Sequence, residues 1–158
     1  MTEQKQQPSY LRCRISSDLD AMEALHAQYP WVPGRDNIRP SEATLALKQE
    51  AMASCSGTYS VDEWSKQLLG AAWAELQGSG CSQSKYHFEP NAFPYDVPTG
   101  TRHYVLWLPS ATAVDNSTVN RYCMQAVSAL GGCDFVWYVN PKMTVPDIWH
   151  VQVFWRAE

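Results

Sequence analysis

The sequence predicts an α+β domain with a helical N-terminal half and, in its C-terminal half, an antiparallel sheet with a helix packed on it. Three observations carry this. Apolar residues recur at helical spacing through the first half of the chain. From Thr101 onward the pattern switches between a period of two and a period of about 3.6 residues. The closing stretch, PDIWHVQVFWRAE, alternates strictly, with Trp149, Val151, Val153 and Trp155 on one face and His150, Gln152 and Phe154 on the other.

Residues 1–16 read as a mobile or edge segment, treated as flexible, and residues 17–158 as one domain with a helical part (17–77) and a sheet part (85–158). SSDLDAMEALHAQY predicts a helix capped by Ser17, with Asp18 and Asp20 placed where a helix N-terminus favours negative charge. The three prolines and one glycine of YPWVPGRDNIRP end it. Ser41 starts an Ala-rich helix, SEATLALKQEAMASC. Ser60 and Glu63 form an S-x-x-E capping box for a third helix, with Trp64, Leu68, Ala72 and Leu76 in one stripe. QGSGCSQS is a linker by composition. TRHYVLWLP predicts a strand, and STVNRYCMQAVSALGG a helix stopped by Gly131 and Gly132. DFVWYV is a strand, NPKMTVPD a turn-forming loop and WHVQVFW the last strand.

Bulk composition narrows the functional classes. With 158 residues, 45% hydrophobic and 18% charged, the chain suits a single domain with a real core. Seven Trp and eight Tyr supply core area and can also line a pocket for a planar ligand. The net charge is −4 and no run of Lys or Arg occurs, so an extended nucleic-acid partner is not expected. A small phosphorylated ligand or nucleotide needs only one or two cations and some backbone N–H groups, so it stays open. Five cysteines, an odd number without a C-x-x-C pair, argue against a disulfide framework and a zinc site. No cofactor is implied. The polar start and the lack of a long apolar run predict a cytoplasmic protein without a membrane partner.

Two stretches could carry chemistry. EPNAFPYDVPTGTRHYVLWLP holds four prolines and one glycine around Asn91, Tyr95 and Asp96, and then enters a strand. Such a stiff loop can set side chains beside a sheet, or simply connect elements. His103 alternates with Val105 and Trp107 at the strand start, where a lone histidine is usually a half-buried polar ring. On the closing strand His150 and Gln152 lie side by side on one face, suited to binding an anion or acting on it. The structural alternative is that the N-terminal helices cover this face.

The motif NAFPYDVPTGTRHYVLW resembles the N-D-W-P-Y…G…H-x-V-x-W signature of a mostly fungal, functionally uncharacterised family named after an N-acetylglucosamine-induced protein. The order PTGTRHYVLWLP, helix, FVWYVN and IWHVQVFW is similar, more distantly, to the histidine-triad superfamily. The specific part of the likeness spans residues 89–155. It implies a histidine-triad-like fold for the sheet part.

The resemblance also implies site roles. In one register Ile148-Trp149-His150-Val151 aligns with H-φ-H-V (φ apolar), Ile148 replacing the first histidine, so His150 takes the nucleophile's position and Gln152 the third. In the other, His150 is the first histidine and Gln152 replaces the nucleophile, which leaves the chain inactive by that mechanism. Asn140 resembles the Asn before the active loop, and Lys142 could touch a phosphate. Asn91, Tyr95, Asp96 and His103 complete the ligand-binding candidates. The donor expected in the loop before His150 is replaced by Thr144, Pro146 and Asp147, a departure that counts against catalysis. The implied chemistry is attack by a neutral histidine on an α-phosphorus and hydrolysis of the phosphoramidate by water. Three functions remain open at this point: a nucleotide-binding domain with phosphoester or phosphoanhydride hydrolysis through His150, a non-catalytic binding module, and a structural subunit of a homo-oligomer or larger assembly.

Overall fold

The computed structural model describes residues 12–15, 18–55, 86–108, 113–140 and 149–157. The expected third helix after Ser60, the linker that follows it, Lys142 and the loop before Ile148 lie outside the described residues. The described elements are β1 (Arg12–Ile15), α1 (Leu19–Gln28), a 3-10 turn (Arg35–Asn37), α2 (Glu42–Cys55), β2 (His87–Pro90), β3 (Arg102–Trp107), α3 (Asn116–Ala129), β4 (Gly132–Tyr138) and β5 (His150–Ala157).

The fold is α+β. One five-stranded sheet runs in the order β1-β4-β5-β3-β2. Four strands pair antiparallel, as expected, and β1 adds to β4 in parallel. Four residues of the segment taken as flexible are therefore a sheet edge. Phe135 to Tyr138 would otherwise leave a row of ladder groups open, and Arg12 to Ile15 pair with that row. β2 is a second departure, since part of it falls in the stretch read as a loop. It has only four residues and ends in Pro90, too short to show a period.

α3 covers one face of the sheet. Asp115 caps it, accepting from the Thr118 amide at 2.9 Å and from the Thr118 hydroxyl at 2.8 Å. Its buried stripe, Val119, Cys123 and Val127, packs on Phe135, Trp137, Leu106, Trp149, Val151, Val153 and Trp155. The indole face of β5 is thus the α3 face, as its alternation requires. Fully burying each such large side chain is worth about 1.5–3 kcal/mol. The helix ends at Gly131 with φ of +81°, a backbone state that glycine adopts without steric cost. Gly132 permits the close approach of helix and sheet: a Cβ there would sit 2.4 Å from Val127 Cγ1 and 2.7 Å from Trp155 Cε3.

The opposite face meets the N-terminal elements. Met22, Trp31 and Val32 pack on Val136, Tyr138 and Phe154, with Leu25, Tyr29, Ile38, Tyr95 and Val97 around them. Asp18, rather than Ser17, caps α1, accepting from the Asp20 amide at 2.9 Å. Two contacts tie the covering segment to the sheet side, and a third braces it internally. The Thr101 hydroxyl donates to the Trp31 carbonyl. His26 Nδ1 lies 2.6 Å from the Val32 carbonyl oxygen. Arg156 donates twice to the buried Asp134 carboxylate and lies over the Trp31 ring. α2 differs from the other helices, because none of its described side chains is buried. Among the described residues, no helix is long and apolar enough to cross a membrane.

Candidate functional site

The register of β3 against β5 builds the site. It sets Trp107 opposite His150, Val105 opposite Gln152 and His103 opposite Phe154. Period-two geometry puts all six on the face turned away from α3. Pairing of β2 with β3 adds His87 and Glu89 to that face, opposite Trp107 and Val105. Asn91 follows β2 and is pinned by its amide, which donates to the His103 carbonyl at 3.1 Å.

Asn91, Tyr95, His103 and Gln152 converge. The Tyr95 amide donates to His103 Nδ1 at 2.9 Å. Nδ1 must then be the bare nitrogen, and Nε2 carries the proton. Nε2 donates to the Gln152 side-chain oxygen across 2.6 Å, and Asn91 Nδ2 donates to the same oxygen across 3.0 Å. The Asn91 oxygen accepts from the Phe93 amide at 2.8 Å, which turns the chain into the proline-rich loop. The His103 ring is stacked on Phe154, with centroids 4.8 Å apart, and tilted against Tyr95 at 4.5 Å. His103 is 5% exposed and Gln152 6%.

Burial sets the electrostatics here. It lowers the His103 pKa to about 4, against the smaller upward pull of the hydrogen bond to Gln152. The ring is therefore neutral at pH 7, as the Tyr95 contact requires. Burial likewise pushes the Tyr95 phenol up to about 12, with nearby Tyr138 adding to it. Each nitrogen of His103 and each side-chain polar atom of Asn91 has a partner, so these two side chains are satisfied within the protein.

His150 stands two residues along β5 from Gln152. It is 7% exposed and its ring lies 4.4 Å from that of Trp107. The Trp107 indole N–H donates to Glu89 at 3.1 Å, and the other Glu89 oxygen lies 2.9 Å from His87 Nε2. His87, Trp107 and His150 thus form a row across three strands, with one carboxylate holding two of its members. His87, Glu89 and Trp107 were not anticipated as site residues. The alternation of His103 with Trp107 is the signal for the indole. His87 and Glu89 depend on β2, which gives no signal of its own.

Asp96 is exposed and takes part through its backbone: its carbonyl accepts from Asn37 at 2.7 Å and its amide donates to the Arg39 carbonyl at 3.1 Å. Asn140 is half-buried just beyond β4, at the end of the sheet where β5 begins. Lys142 lies outside the described residues, so the expected phosphate contact has no geometry here.

Fold and site together define an α+β domain whose antiparallel strands carry α3 on one face and a histidine–carboxamide cluster on the other. No protein-family model and no curated protein matches the chain. A solved structure of HTC1 is similar at 20% identity, covering 77% of this chain and 77% of that one, with a TM-score of 0.49.

Proposed function

We propose that this chain is a histidine-triad-like domain, akin to the N-acetylglucosamine-induced protein family, that works by binding rather than by hydrolysis, as an interaction module or subunit of an assembly. The observation that carries this reading is the internal pairing of His103 and of the Gln152 oxygen. The Gln152 oxygen already accepts two donors, and both nitrogens of His103 are engaged within the protein. His150, the residue the resemblance implies as nucleophile, is almost wholly buried and lies against an indole. A nucleophilic imidazole must reach a phosphorus, and a binding scaffold has no such need.

A second reading keeps phosphoester hydrolysis, because His150 shares a row with His87 and Trp107, with Glu89 beside them. In that reading His150 attacks phosphorus, the leaving oxygen departs, and water cleaves the P–N bond to regenerate the imidazole. Trp107 would orient the ring. One experiment separates the two. The full chain is heated with AMP, ATP, GMP and inorganic phosphate, and release of product from the nucleotides is followed with wild type and His150→Ala. The binding reading expects no turnover above blank. Turnover lost in a folded His150→Ala protein establishes the hydrolase instead.

A further inference from the structure

The α3 face of the sheet is not apolar to its margin. Beside α3, where β2 and β3 meet, four half-buried rings form a strip. Tyr86 meets Tyr122 of α3 at 5.0 Å, and Phe88 meets Tyr104 at 4.8 Å, with Tyr104 edge-on to Trp155 at 5.3 Å. An exposed arginine marks each end. The Arg121 guanidinium lies 5.4 Å from the Tyr122 ring, and that of Arg102 lies 4.7 Å from the Trp155 ring. Among the described residues neither arginine forms an ion pair. Asp115 is held low first by the Thr118 hydroxyl and amide and only last by Arg121. No described hydrogen bond uses the hydroxyls of Tyr86, Tyr104 or Tyr122.

Two cations and three phenols with no partner among the described residues, on a chain of net charge −4, are a local reversal of charge. We infer that this strip is a docking surface for an acidic, extended peptide segment of a partner protein, with carboxylates on Arg102 and Arg121 and apolar side chains seated between the rings. This rests on the interaction reading above and names the class of partner. Charge complementarity selects carboxylates. Ring geometry favours a peptide: the two pairs are tilted by 37° and 34° rather than stacked in parallel. Apolar side chains fit the notches between tilted rings. The β3 stretch from Arg102 to Leu106 spans about 13 Å, the reach of four to five extended residues.

The test uses the full chain and a fluorescent peptide alternating Glu with Leu and Phe, read by anisotropy. Saturable binding is expected. Arg102→Gln and Arg121→Gln should each weaken it about tenfold, and so should raising salt to about 0.5 M. Phe88→Ala tests the apolar part, with thermal melts confirming that each variant folds. The inference is overturned if wild type does not bind, if the arginine variants bind as well, if a Lys-for-Glu peptide binds equally, or if oligouridylate binds in preference. Any of these removes the surface and leaves the interaction reading standing, because that reading falls only on His150-dependent turnover.

Discussion

The Tyr95 amide donates to His103 Nδ1 across 2.9 Å, so one backbone N–H fixes the tautomer of the most buried histidine on this face. The loop carrying that amide is held from outside as well. Pro40 and Tyr95 form an antiparallel bridge, and Asn37 and Arg39 bond the backbone of Asp96. His103 is thus the inner anchor of the proline-rich loop.

Acid should undo that anchor. The folded ring titrates at about 4 and an unfolded histidine at about 6.5, so the neutral ring contributes stability that is complete above pH 6.5. The contribution is lost as pH falls toward 4, because the unfolded state binds the proton first. Its size is about 3 kcal/mol. Urea melts of wild type and His103→Phe between pH 7 and 4 check this: wild type should lose stability more steeply. Parallel pH profiles would remove His103 as the cause.

Gln152→Leu should be costly, because it leaves the buried His103 Nε2–H without its acceptor and takes an acceptor from the half-buried Asn91 amide. The expected loss is about 2–3 kcal/mol. Combining it with His103→Phe should cost less than the two single changes added together, since the double change removes the stranded imidazole donor. A double-mutant cycle by urea denaturation measures this, and simple additivity would refute the network.

Trp107→Phe keeps a ring beside His150 and removes the N–H that Glu89 holds. A stability loss of about 1 kcal/mol is expected. The histidine Cε1 proton resonances should report more: those of His87 and His150 should both shift while that of His103 stays. An unchanged His87 would mean that Glu89 does not link the row.

Gly132→Ala should be the most damaging small substitution near α3. Its methyl carbon would overlap Val127 and Trp155, and neither neighbour is a free chain end. About 1–3 kcal/mol of destabilisation follows. Gly131→Ala strains the positive φ instead and should cost about 1 kcal/mol. Thermal melts of both variants should rank them in that order.

Much of the fold is legible in the chain. α2 starts where Ser41 places it, with the Thr44 amide donating to the Ser41 hydroxyl at 3.2 Å. β3, α3, β4 and β5 follow their periodicities to within a few residues. β1 and β2 are harder to read, because a four-residue strand shows no period and takes its identity from the neighbour it pairs with. The site is legible by residue type but not by grouping. Asn91, Tyr95, His103 and Gln152 meet, whereas His150 lies two residues along the strand against Trp107, whose indole shares Glu89 with His87.

What the sequence determined by itself is which side chains share a face. Alternation along the last strand puts the indoles against α3 and turns His150, Gln152 and Phe154 the other way, since successive residues of a strand must point to opposite sides. Only the tertiary structure decided which of them touch. Gln152 lies 49 residues from His103 and 61 from Asn91 along the chain. Their meeting depends on the register of β3 against β5, and register is set by how the two apolar faces bury together, a property of the packed sheet that no single strand contains.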